Sequence, residues 1–363
     1  MKAKRENTKK YTVCMLLNGC KIDGVSTFAN QLTNVLRNYK NMSCITINID
    51  SNLKKKICSL AKEIKDSSSI TILSNIWPAY FMLEMIKSVL PNSRIVHIVH
   101  DLPWMTFFNG DCEAFIKESE TGFSSFEKPF KNLLYYSTID TLKAFELCDD
   151  VVCLCEDTID IVHEVYGIPL NKLHLIRNGS IDFYKIDTPY STKNPDVTKM
   201  FDRSFYNLIF IGRPTFSKGW DRVIELGNHI KDYEKAMRVI CVGSNEFENF
   251  IPEHLTEFII NGGILSHKKI HDALRHSDAV FIPSRHEQCS YVGIESMMHS
   301  KEIFIYGGHG LNNMFNENNS HIISRVCQIS PNLNMTGINA RHFYEFFYKI
   351  EQMEKSYLDL IRR

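Results

Sequence analysis

Short apolar runs rich in β-branched residues alternate along the chain with longer stretches of helical period. Strands are predicted at Thr12–Leu17, Cys44–Ile49, Ser69–Leu73, Arg94–Val99, Asp150–Leu154 and Leu173–Ile176. A second set follows at Asn207–Ile211, Met237–Val242, Gly263–Leu265, Ala279–Ile282 and Glu302–Tyr306. These runs are nearly continuous in hydrophobicity, the mark of strands buried on both faces of a parallel sheet. Helices are predicted between them, among others at Ser26–Asn38, Ala79–Val89, Lys131–Glu146, Thr158–Tyr166, Trp220–Ile230 and Lys268–Arg275. The β-α alternation occurs twice, so the pattern predicts two doubly wound α/β domains.

The break falls in Ser180–Phe205, where Asp182, Asp187, Thr188-Pro189, Ser191-Thr192 and Asn194-Pro195-Asp196 supply turn formers without periodicity. We therefore expect a first domain over residues 1–185, a linker over 186–204 and a second domain over 205–339. Residues 340–363 carry Phe343, Phe346, Phe347, Ile350, Met353, Tyr357 and Leu360 on a helical repeat and are expected to form one helix packed back on the body.

Composition narrows the function class. The 363 residues exceed what one core usually supports. Formal net charge is zero, which gives no electrostatic footprint for nucleic acid. No apolar run approaches the roughly 20 residues that span a bilayer. Val13–Leu17, behind a charged start, is too short for a signal-peptide core, so a cytoplasmic protein is expected. Eleven cysteines scattered over such a chain read as reduced thiols. Cys148, Cys153 and Cys155 lack the usual metal spacing and lie on an apolar strand pattern, so they read as core and no metal is expected.

Four features of the second half converge on an anionic, hydroxyl-bearing ligand. Leu208–Ile211 runs into Gly212-Arg213-Pro214 and then Lys218-Gly219, setting two cations beside free amides at a helix start. That arrangement suits a diphosphate. Arg238–Val242 ends at Gly243-Ser244, a glycine turn at the carboxyl end of a strand, where doubly wound sheets bind ligands. Asn261-Gly-Gly-Ile-Leu265-Ser-His267 offers a turn able to receive a flat base, with a plain helix–strand turn as the competing reading. Most specific is the stretch Ser277–Met298: an apolar strand reaches Pro283-Ser284, a loop carries Glu287, and a helix starting near Ser290 carries Glu295. Two carboxylates so spaced can grip hydroxyls some way apart along one ligand, and loop amides at Cys289, Ser290 and Tyr291 would face its polar atoms.

These motifs resemble the donor domain of retaining glycosyltransferases of the GT-B fold, family four, whose hallmark is Glu-x7-Glu after a strand ending Pro-Ser, preceded by Gly-Arg…Lys-Gly. Asp149–Glu156, Tyr166-Gly-Ile-Pro169 and Leu175-Ile-Arg-Asn178-Gly179 resemble the end of that family's first domain, extending the likeness over roughly residues 11 to 320. The resemblance implies two Rossmann-like domains facing a central cleft. It implies that Arg213 and Lys218 hold the donor diphosphate, Glu295 the ribose and Glu287 the hydroxyls of the transferred sugar. Gly243, Leu265, Cys289, Ser290 and Tyr291 would line the donor site, and Gly24 would admit the backbone to the donor from the first domain. His100 matches a histidine near the sugar in many members. His97, three residues earlier, competes with it; a period of two sends the pair to opposite faces, and the strand's carboxyl end favours His100. The sequence departs from the family at Met298-His299-Ser300-Lys301-Glu302, where many relatives carry small residues and Gly-x-Pro, and Gly307-Gly308-His309-Gly310 partly restores a glycine loop.

The implied activity is metal-independent transfer, with retention, from a nucleoside-diphosphate sugar to an unidentified glycan, lipid-linked, peptide or small-molecule acceptor. The lack of an Asp-x-Asp motif agrees. Alternatives are a non-catalytic sugar-nucleotide-binding partner subunit and a nucleotide-sugar epimerase on the same fold. Pro103–Phe130, with Trp104 and six phenylalanines, is read as an irregular insertion that builds either an acceptor groove or local packing. Leu53–Lys65 is a basic amphipathic helix, read as a solvated face, with weak peripheral contact to the inner face of a membrane as the alternative.

Overall fold

The protein is described by a computed structural model over residues 10–18, 24–63, 69–75, 79–102, 105, 107–184, 195–234, 236–331 and 336–363. It divides into two compact units, Met1–Gly179 with Ile350–Arg363, and Ser180–Lys349.

The first unit is a parallel sheet of β1 (Tyr11–Asn18), β2 (Met42–Ile49), β3 (Ser69–Ser74), β4 (Arg94–Val99), β5 (Asp150–Cys153) and β6 (Leu173–Leu175), in the order β2-β1-β3-β4-β5-β6. Its helices are α1 (Gly24–Leu36), α2 (Leu53–Glu63), α3 (Tyr80–Val89), α4 (Cys112–Glu120), α5 (Lys128–Leu147) and α6 (Glu156–Glu164). On one face Leu16, Ile72, Ile95 and Val99 pack with Ile57, Leu83, Ile86 and Phe145. Every residue of β5 is buried: Val151, Val152 and Cys153 are apolar, and the Asp150 carboxylate is compensated by Arg94 and His174. Cys148, Cys153 and Cys155 lie in this buried framework, and burial pushes the Cys148 and Cys155 thiols up to about 12.

One expectation for this unit is corrected. The segment after β4 is not irregular: Asp111 caps α4 by accepting the Ala114 amide at 2.9 Å, and Pro129 sits in the first turn of α5. Its phenylalanines pack on one another instead of forming an open groove. Phe108 meets Phe115 and Phe126 at centroid distances of 5.5 and 5.8 Å, Phe130 meets Phe126 and Phe107 at 5.2 and 5.5 Å, and Phe115 and Phe123 are fully buried. Trp104 lies outside the described residues. In α2 the apolar stripe Leu53, Ile57 and Leu60 is turned into the core, so this face is not open to lipid and only its lysines could meet an anionic surface. Among the described residues no helix is long and apolar enough to cross a membrane.

The second unit has the sheet order β12-β11-β10-β7-β8-β9, all parallel, from β7 (Tyr206–Ile211), β8 (Met237–Val242), β9 (Ile259–Asn261), β10 (Ala279–Ile282), β11 (Glu302–Ile305) and β12 (His321–Ile322). Its main helices are α7 (Trp220–Tyr233), α8 (His267–His276), α9 (Tyr291–Met298) and α10 (Gly337–Phe343). Leu208, Phe210, Trp220, Val223, Phe247, Phe281 and Phe304 form its core. The strand expected at Gly263–Leu265 lies instead at Ile259–Asn261. Gly263 has φ +63°, a left-handed conformation that no strand accommodates, and its amide donates to the Asn261 carboxamide at 2.9 Å, closing a turn.

The helix expected over 340–363 is broken. After α10 the chain makes a π-helical turn over Tyr344–Tyr348, and Lys349 is extended. A final helix, α11, spans Ile350–Arg362 and belongs to the first unit. The break has a cause: the Ser180 amide donates to the Tyr348 carbonyl at 2.9 Å and Ser180 bridges to Lys349, so the extended residue completes a small ladder. The chain thus leaves the first unit at Gly179–Ser180, ahead of the expected linker, and returns at Lys349–Ile350. Residues 185–194 of that linker lie outside the described residues. Within the first unit α11 packs on α1, with Tyr357 against Phe28 at 5.8 Å and the Tyr39 hydroxyl donating to Glu354 at 2.6 Å.

Glu302 at the start of β11 fastens the α10 end of the second unit. Its carboxylate accepts from the amides of Thr336 and Gly337 at 3.1 and 2.9 Å, from the Thr336 hydroxyl at 2.9 Å and from His321 at 2.7 Å. Burial alone would raise its pKa, but these donors outweigh it and hold the carboxyl near 2. A carboxyl depressed in this way stabilises the fold above its ordinary value near 4.5 and loses that contribution as pH falls toward 2. We therefore expect Glu302→Gln to melt below wild type at pH 7, with the gap narrowing steadily below pH 4.5 in thermal denaturation scans.

Candidate functional site

In a doubly wound sheet the ligand crevice opens where the strand order reverses. In the second unit the chain lays β8 and β9 on one side of β7 and then crosses to place β10 on the other. The reversal therefore lies between β7 and β10, and the loops leaving their carboxyl ends carry Arg213, Lys218 and Glu287. Lys218 Nζ and Glu287 Oε1 meet across it at 2.6 Å. Glu287 Oε1 also accepts the Ser284 hydroxyl at 2.8 Å. Arg213 is exposed, and its side chain makes no hydrogen bond or ion pair among the described residues.

The two loops are fastened to one another. Gly219 has φ +73°, and a Cβ there would lie 2.1 Å from the Pro283 carbonyl oxygen. Arg222 donates to that same carbonyl at 2.8 Å and lies over the Tyr306 ring. The Arg285 amide donates to the Ser217 carbonyl at 2.9 Å. The Arg285 guanidinium stacks on Phe216 and grips both oxygens of Asp221 at 2.8 and 2.7 Å. The glycine loop after β11 fits beneath Glu287: its amide donates to the His309 carbonyl at 3.0 Å, and a Cβ on Gly310 would fall 1.7 Å from the Glu287 carbonyl oxygen. Gly243 has φ +116° and faces the Gly212 carbonyl, with 2.8 Å to a built Cβ, bringing the β7 and β8 turns into close approach.

Glu295, one turn into α9, is almost fully buried. Ser290 caps that helix by accepting the Gly293 amide at 3.2 Å, while its own amide is turned to the Met314 sulfur. Part of the polar rim expected at Cys289–Tyr291 is thus committed internally; Cys289 and Leu265 are themselves buried. Glu295 has a partner that the spacing does not reveal. His267 Nε2 meets Glu295 Oε1 at 2.7 Å, and that hydrogen bond raises the imidazole pKa against the opposing effect of burial. His267 opens α8, 28 residues earlier, and no local pattern links the two. Arg222 and Arg285 were likewise unmarked, each reading as an ordinary helix or loop cation.

In the first unit Gly24 heads α1 and is exposed; residues 19–23 of its loop lie outside the described residues. His97 and His100 separate as the two-residue period requires. His97 is buried edge-on against Phe145 of α5 at 5.6 Å. His100 lies half-buried against Phe28 of α1 at 4.9 Å. Burial, with a smaller effect from His97, pushes His100 down to about 3, so it is a neutral imidazole at physiological pH.

No protein-family profile and no curated protein matches the chain. Solved structures do. The chain is similar to a sucrose-phosphate synthase from Thermosynechococcus elongatus, with TM-score 0.72 and 12% identity over 97% of this chain and 98% of that one. It is similar to Anabaena HepE in complex with UDP, with TM-score 0.69 and 12% identity over 97% and 99%. A glycosyltransferase from Rickettsia africae gives TM-score 0.68 and 14% identity over 97% and 98%. The fold is GT-B. At these identities the likeness is one of architecture, and it extends through both Rossmann-like units.

The fit of Gly219 under Pro283 sets the register of the two loops. Gly219→Ala places a side chain at positive φ and against a backbone carbonyl, a combination that costs more than about 1 kcal/mol. We expect its melting temperature to fall by several degrees, read by differential scanning calorimetry, whereas Gly122→Ala, also at positive φ but with open space around it, falls less.

Proposed function

We propose that the chain is a retaining glycosyltransferase that moves a sugar from a nucleoside-diphosphate sugar to an acceptor without a metal at the diphosphate. The observation that carries this reading is the Lys218–Glu287 pair across the reversal between β7 and β10, with exposed Arg213 on the same loop as Lys218. Support comes from the GT-B fold and from the complex of Anabaena HepE with UDP, a protein of similar architecture.

In this reading Arg213 and Lys218 neutralise the charge that develops on the departing diphosphate. Fixed cations of this kind act without reorganising during the reaction. Glu287, released from Lys218 as the diphosphate arrives, takes up hydroxyls of the transferred sugar. Glu295 takes up the ribose, held in place by His267. His100, neutral and at a strand's carboxyl end, serves as an uncharged hydrogen-bonding group toward the sugar.

The test has two stages. Thermal shift against uridine, guanosine and adenosine diphosphates and their sugars selects the donor. Incubation of that donor with and without candidate acceptors, followed by NMR of the anomeric proton, then reads transfer and its stereochemistry. We expect transfer only with acceptor and with the anomeric configuration kept. Conversion of the donor alone would establish an epimerase, and no shift with any nucleotide would defeat the donor-site assignment. Arg213→Ala and Lys218→Ala should each reduce transfer by about 10²–10³-fold with little change in melting temperature. Near wild-type transfer in both would remove these residues from the mechanism.

A further inference from the structure

We propose that His267, His271 and Glu295 form a binding site for a divalent transition-metal ion of the zinc class. α8 carries His267 and His271 four residues apart on one face, and α9 carries Glu295 with His299, at its C-terminal cap, at the same spacing. The pairs meet rung by rung: His267 Nε2 lies 2.7 Å from Glu295 Oε1, and His271 Nδ1 lies 2.9 Å from His299 Nε2. One ring nitrogen from each of His267 and His271 and one oxygen of Glu295 fall within 4.8 Å of one another.

The donor set is two imidazoles and a carboxylate, with no thiolate. Such a set suits zinc, cobalt or nickel over magnesium or calcium, which prefer all-oxygen ligands. Two histidines one helical turn apart with a carboxylate from a second helix give three protein ligands and leave room for a water. His271 is the independent sign that a ligand is wanted. It is 2% exposed, and with Nδ1 engaged by His299 its Nε2 has no hydrogen-bond partner among the described residues. The tautomer that donates Nδ1–H to His299 leaves the Nε2 lone pair free, and this outer hydrogen bond is the kind that orients a metal-bound histidine. Phe183 stacks on His271 at 4.4 Å and meets His267 edge-on at 5.2 Å, closing one side of the cluster with apolar surface. His267 is more open than the others, so it can swing from its hydrogen bond with Glu295 to admit an ion between them.

The donor set shares Glu295 with the proposed ribose contact and no group with the proposed diphosphate contact, so the two proposals can fail separately. The experiment contains no nucleotide. The full chain is stripped with a chelator and titrated with Co(II) alone, following visible absorption and calorimetry. We expect one equivalent to bind with ligand-field bands and no thiolate-to-cobalt charge transfer. His267→Asn should weaken binding by more than about 100-fold and His299→Asn, which removes only the outer hydrogen bond, by about 10–100-fold. Thermal melting establishes that each variant is folded, and Glu295→Gln replaces any that is not. Absence of stoichiometric binding, a thiolate band, or unchanged affinity in a folded His267→Asn or Glu295→Gln overturns the proposal.

Discussion

The site of the second unit depends on the rigid fastening of the two loops that flank the reversal of the sheet, across which Lys218 meets Glu287. Their side chains are 33% and 15% exposed, and an ion pair open to water to this degree contributes about 1 kcal/mol or less. That is too little to hold two loops against their own entropy. The geometry is held by other means: Gly219 pressed against the Pro283 carbonyl, Arg222 on the same oxygen, and Arg285 clamped between Phe216 and Asp221. The pair is therefore carried by a rigid frame and does not build it. A site preorganised in this way can exchange partners without reshaping its loops.

Several of these features were readable in the sequence because each has a short-range cause. Continuous apolar runs marked the strands, and the doubled β-α rhythm marked two sheets. Pro283-Ser284 and Gly212 marked strand ends, which placed Arg213, Lys218 and Glu287 in loops at the carboxyl edge. The glycines at 219 and 310 were visible as glycines, but their reason was not: both make way for a carbonyl contributed by a distant loop.

What could not be read is long-range or decided by competition. His267 and Glu295 are 28 residues apart on separate helices, and only packing brings them to 2.7 Å. The phenylalanines after β4 have the same composition whether they line a groove or a core; burial of Phe115 and Phe123 decides it. The stretch after Ala340 keeps a helical repeat to the end of the chain, yet Lys349 is extended because a bridge to Ser180, 169 positions away, outweighs one more helical turn. Periodicity reports which face is apolar and is silent about which backbone groups will find a better partner elsewhere.

Both carboxylates of the site are compensated before any ligand arrives, Glu287 by Lys218 and Ser284, Glu295 by His267. A bare carboxylate as buried as Glu295 would be expensive to desolvate. On the donor reading this arrangement also lowers the barrier to binding. A diphosphate that draws Lys218 away exchanges one charge-assisted contact for another, and the carboxylate it frees lies where hydroxyls of the same ligand can replace the lost donor. Binding then consists of linked exchanges with few new charges to desolvate. The same reasoning makes Glu295 open to competition: ribose hydroxyls and a metal ion would both call on a carboxylate that His267 already engages through one oxygen.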